Sequence, residues 1–98
     1  MHRVEKVEFS SFEWDESKRL RILREREIDL IQVAEALLNP HLETPSDKQE
    51  ERRTLAICMI EAKLVRAIYT LRGDTCRIIT AMAARRNERR EYRTVFGG

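Results

Sequence analysis

Tyr69-Thr70-Leu71-Arg72-Gly73-Asp74-Thr75-Cys76-Arg77-Ile78-Ile79-Thr80-Ala81 has the pattern of a β-hairpin. Two β-prone runs flank Gly73-Asp74, a two-residue turn whose glycine can take the positive φ that such hairpins require. Upstream, Thr54-Leu55-Ala56-Ile57-Cys58-Met59-Ile60 is almost continuously apolar, which fits a central strand covered on both faces. Glu61-Ala62-Lys63 turns the chain into a strand over Leu64–Leu71, and Thr75–Ala81 completes an antiparallel meander. Ala84-Arg85-Arg86-Asn87-Glu88-Arg89-Arg90-Glu91-Tyr92 then reads as an arginine-dense helix. A guanidinium stays protonated and offers a planar fork of donors, so fixed positive charge on a rigid sheet points to a phosphodiester partner.

Before the meander the apolar period is helical. Asp15 opens a first helix that runs from Glu16 to about Glu27, with Leu20, Leu23 and Ile22 as its inward residues and basic side chains outward. Asp29 is the N-cap of a second helix, with Gln32 placed to reach back and Ile28 and Val33 placed as a hydrophobic staple. Leu30, Val33, Ala34, Leu37 and Leu38 form its inner face, and Asn39-Pro40 ends it because proline cannot donate the next hydrogen bond. Phe9-Ser10-Ser11-Phe12-Glu13-Trp14 suggests a short edge strand before the helices, and His41-Leu42-Glu43-Thr44 a short strand after them. The polar stretch from Pro45 to Glu51 reads as an exposed connection.

The expected fold is therefore α+β: two N-terminal helices packed on a small antiparallel sheet, with a C-terminal helix. One sheet face is expected to be covered by helices and the other to be free for binding. Ninety-eight residues make one domain, here placed at 12–98 behind an N-terminal extension, 1–11, without evident structure. Apolar residues are 42% of the chain and clustered, so the high charged fraction of 37% decorates a folded domain. The net charge of +2 hides asymmetry: Ala83 to Gly98 holds five arginines against Glu88 and Glu91. No apolar leader core or membrane-length run occurs, which points to the cytoplasm and away from membranes. Cys58 and Cys76 lack metal spacing and read as buried thiols.

Phe12-Glu13-Trp14-Asp15 with Lys18, Leu38-Asn39-Pro40, Glu50-Glu51-Arg52, Tyr69-Thr70, Arg72-Gly73, Arg77-Ile78-Ile79-Thr80-Ala81 and the Arg-Arg-x-Glu-Arg-Arg-x-Tyr ending resemble the BrnT toxins in order and spacing. The likeness covers about residues 12 to 92. It implies a fold similar to the RelE ribonucleases and action on RNA that stops translation. It also implies neutralisation by a BrnA-like ribbon-helix-helix antitoxin, and contact with operator DNA through that antitoxin. Two departures accompany it. The family usually has Lys-His-Gly where this chain has Glu25-Arg26-Glu27, and Ser-Ala-Arg-Arg-Ala where it has Thr80-Ala81-Met82-Ala83-Ala84.

RNA cleavage without a metal needs an activated 2′-hydroxyl, a proton for the leaving oxygen and fixed positive charge over the phosphorus. Arg77, inside an apolar strand, is the first electrostatic candidate; an ion pair with Glu25 or Glu27 is an equally good reading. Arg52, at the entry to the central strand, is the second, and Arg66 in the middle strand has the same ambiguity. Glu25 is the candidate general base, against the reading of an exposed helix pair. Arg26, Arg72, Arg85, Arg86 and Arg89 are candidate RNA contacts, the last three on a helix whose basic stripe would suit RNA or an acidic partner equally. His41 reads as an incidental loop histidine, His2 is discounted, and Trp14 reads as a packing residue before a base-stacking one. No zinc spacing, phosphate-binding glycine loop or catalytic triad order occurs, so neither a metal nor a cofactor is expected. Two functions follow: an endoribonuclease toxin, or a toxin homologue weakened in catalysis that acts as a binding module and co-repressor with its antitoxin.

Overall fold

The computed structural model describes residues 1–97. Its elements are β1 (His2–Val4), β2 (Ser11–Glu13), α1 (Glu16–Arg26), α2 (Leu30–Leu37), β3 (His41–Pro45), β4 (Thr54–Ile60), β5 (Lys63–Arg72), β6 (Thr75–Ala83) and α3 (Arg86–Phe96). The strands form one six-stranded sheet in the order β1-β3-β4-β5-β6-β2. All neighbours are antiparallel except β2 and β6, which run parallel. The α+β class and the central meander agree with the sequence reading. The arrangement differs, since strands precede the helices and the sheet is larger than a meander. Residues 2–4, expected to be without structure, pair with His41–Glu43 at one sheet edge.

Capping and burial explain the helices. The Asp15 carboxylate accepts the Lys18 N–H at 3.0 Å, and Asp29 Oδ1 accepts the Ile31 N–H at 3.0 Å, each relieving an unpaired donor of the first turn. Gln32 does not close a capping box; its amide instead lies 3.4 Å from Glu61 Oε1. Leu30, Val33 and Leu37 are fully buried, a contribution of roughly 1.5–3 kcal/mol each. Leu38 is the C-cap and is exposed, because the helix ends one residue earlier than its apolar pattern. In α1 only Ile22 is buried, whereas Leu20 and Leu23 are exposed. This thin contact is reinforced by Arg19, whose guanidinium bridges Glu16 and the α2 cap Asp29.

The sheet has two cores. Under α1 and α2 lie Ala56, Cys58, Val65, Ala67, Tyr69, Cys76, Ile78 and Ala81, joined by the flanking Phe12 and Trp14. On the other face Leu42, Leu55, Ile57, Leu64 and Ala84 receive Tyr92 and Phe96 of α3. The expectation of one free face is thus corrected: the last helix covers the β3–β5 side of it, because its few apolar residues fall on one stripe. What stays open on that face is the β6–β2 end.

Candidate functional site

Arg77 lies between Cys76 and Ile78, both buried under α1 and α2, so strand alternation sends its side chain to the opposite, open face. Glu13 is its neighbour on the parallel strand β2, in register with it. Arg77 Nη1 stands 3.5 Å from Glu13 Oε1, and Arg72 Nη1 approaches the same oxygen at 4.0 Å. The side chains are 31%, 41% and 64% exposed for Arg77, Glu13 and Arg72, so this cluster is reachable from solvent. Thr70, directly opposite Arg77 on β5, donates its hydroxyl to the Arg52 carbonyl at 2.7 Å.

The ion-pair reading of Arg77 is therefore correct in kind and wrong in partner. Glu25 and Glu27 belong to α1 and its C-cap, on the helical side of the sheet, and both are exposed. Among the described residues Glu25 makes no side-chain hydrogen bond or ion pair, so it is not gathered with Arg77. Arg52 is tied to Thr70 through its main-chain carbonyl and is not gathered into the cluster by its side chain, which is exposed and lines a shallow groove with Pro45, Asp47 and Leu71. Arg26 wraps the open edge of β6, donating to Thr80 Oγ1 at 3.2 Å and to the Ala81 carbonyl at 2.9 Å. Arg66 resolves as a structural pair, with Nε 3.1 Å from both Glu88 oxygens.

The arginine helix divides its charges. Arg85 is the exposed N-cap residue, and Glu88 Oε1 accepts its backbone N–H at 2.7 Å. Arg89 donates to the Ala84 carbonyl at 2.6 Å, fixing the helix start. Arg86, Arg89, Arg90 and Arg93 together line a cleft of about 490 Å³ on the outer side of α3. Four arginines around one concavity give it a concentration of positive charge that would suit an anion.

The model of the family described as "Ribonuclease toxin, BrnT, of type II toxin-antitoxin system" matches residues 14–88. The chain belongs to the BrnT toxin family. No curated protein and no solved structure matches it. The matched segment includes Arg52, Arg72 and Arg77, whereas Glu13 lies one residue before it and Arg89, Arg90 and Arg93 lie after it.

Beside these BrnT residues stand three groups whose role the sequence reading missed. Glu13 sits between Phe12 and Trp14, so period two alone turns it away from their packed side, and that alternation was the available signal. His41 is fully buried, with Nδ1 2.7 Å from the Asn39 carbonyl and Nε2 2.7 Å from Glu43 Oε2. Tyr69 donates to the same Glu43 oxygen at 2.7 Å. The incidental-loop reading of His41 fails because β3 turns both His41 and Glu43 inward, where each satisfies the other. Burial pushes the Glu43 carboxyl upward, but the hydrogen bonds from His41 and Tyr69 outweigh it and hold the group below its ordinary value. Lys18 is the third: partial burial and the nearby charges of Arg21, Arg26 and Arg53 lower its pKa.

Proposed function

We propose that this chain is the toxin of its pair, a metal-independent endoribonuclease of RelE-like fold that stops translation in the cytoplasm. The observation that carries the reading is the Arg77–Glu13–Arg72 cluster on the open end of the sheet, in a chain of a ribonuclease toxin family. Glu13 takes the proton of the 2′-hydroxyl in place of Glu25, and the 2′-oxygen attacks phosphorus. Arg77 and Arg72, freed from Glu13 as it is protonated, stabilise the charge on the phosphoryl oxygens. The bond to the 5′-oxygen breaks, water supplies its proton, and a 2′,3′-cyclic phosphate remains.

Arg52 borders this site, and the Arg86 and Arg89 cleft with Arg85 holds flanking phosphates. Arg26 is an edge clamp first and an RNA contact second. The family implies an antitoxin partner; we propose that it is a BrnA-like ribbon-helix-helix protein that connects the toxin to operator DNA. A second reading, a binding module weakened in catalysis, is favoured by one observation: in the free protein Glu13 already pairs with Arg77 and stands near Arg72, offsetting one of their two positive charges.

Induced expression without antitoxin tests the choice. Arrested growth and cut RNA with the native sequence, both abolished by Arg77→Ala, are the expected results; normal growth and intact RNA support the binding module.

A further inference from the structure

A second groove, of about 620 Å³, lies on the helical side of the sheet, between the 4–9 segment and the β5–β6 turn. Its floor is Glu43 and Tyr69, and Val7, Phe9 and Leu71 contribute apolar wall. Glu43 is 9% exposed, and its Oε2 is taken by both His41 and Tyr69. Its Oε1 has no hydrogen-bond partner among the described residues, yet the oxygen is not sealed from solvent. A carboxylate accepts at both oxygens, so Glu43 Oε1, open at the base of the groove, can accept from a donor that enters it.

The surrounding charge selects the donor. Among the described residues that line the groove, Glu8 and Asp74 stand at the rim against Lys6, so the rim is acidic. A phosphate is repelled and a cation drawn in. Apolar wall suits an aliphatic stem, and the half-buried Phe9 ring, packed 5.4 Å from the buried Tyr69 ring, is the aromatic surface that a planar cation can reach. We infer that this groove binds an arginine side chain of a partner polypeptide, its guanidinium on Glu43 Oε1 and its stem along Val7 and Leu71. The site is independent of the RNA-cleaving reading, lying on the opposite side of the sheet from Arg77.

The test is an NMR titration of the full chain with the tripeptide acetyl-Gly-Arg-Gly-amide, following the ring signals of Tyr69 and His41. Expected are saturable shifts at both rings, at least tenfold weaker binding to Glu43→Gln, and several-fold weaker binding to the surface variant Asp74→Asn. The same tripeptide with norleucine for arginine should give no saturable shift. Absence of saturation with the native chain overturns the inference, as does equal binding of the norleucine peptide. Undiminished binding to Asp74→Asn together with saturation by cytidine overturns it too, reassigning the groove to a nucleobase. Should Glu43→Gln fail to fold, the peptide pair and Asp74→Asn decide the matter alone.

Discussion

Arg66 Nε lies 3.1 Å from each carboxylate oxygen of Glu88, and this pair ties the middle strand to the start of the C-terminal helix beside the apolar contacts of Leu64 and Ala84. The side chains are 12% and 4% exposed, so removing either partner strands a charge in a desolvated position. Glu88 also accepts the Arg85 N–H, which makes it the N-terminal anchor of α3. Arg66→Ala or Glu88→Ala should each cost about 2–4 kcal/mol in urea unfolding. A paired Arg66→Met, Glu88→Leu variant should lose less than the two single changes combined, because neither charge is left alone.

Acid stability should depend on Glu43. Its carboxyl is held below the ordinary value of 4.5, so the stability it contributes is complete above pH 4.5 and is lost as pH falls through the lower folded-state value. Tyr69→Phe removes one of the two donors that lower it and should cost about 1.5–3 kcal/mol at neutral pH. It should also flatten the loss of stability below pH 4.5, measured as urea midpoints against pH.

The thiols should be silent. Burial pushes Cys58 up to about 12, and burial with the Glu43 charge does the same for Cys76, so neither forms the reactive thiolate near neutral pH. A thiol reagent at pH 8 should label both only on unfolding, and labelling rates should follow urea concentration. Fast labelling in native buffer would mean that the core opens readily.

The β4–β5 turn carries strain. Glu61 and Ala62 both take positive φ, 47° and 66°, which a tight hairpin demands and a side chain resists. Ala62→Gly should stabilise the protein by about 0.5–1 kcal/mol, visible as a raised urea midpoint with unchanged slope.

Much of this fold was legible because periodicity reports burial. The run Thr54–Ile60, the Gly73 turn and the Asp29 cap each signal their element through local chemistry, and all three elements are present. The sheet edges were not legible: β1 is three residues of ordinary composition, ordered by pairing with β3, by Met1 near Glu91 and by Arg3 over the Phe96 ring. Partner choice was the other blind spot. Arg77 has several acids within reach along the sequence, and only the parallel addition of β2 to β6 selects Glu13. His41 likewise is buried as the partner of Glu43, whose second donor, Tyr69, lies twenty-six residues further along the chain.

The central claim is that the Arg77–Glu13–Arg72 cluster cuts RNA, and the most direct measurement is cleavage of a short RNA by the purified chain in the presence of a chelator. The account predicts fragments ending in 2′,3′-cyclic phosphate, and a rate about 10²–10³-fold lower in folded Arg77→Ala, with a comparable loss in Glu13→Gln. Cleavage by Arg77→Ala at the native rate, or no cleavage by the native chain, would contradict it.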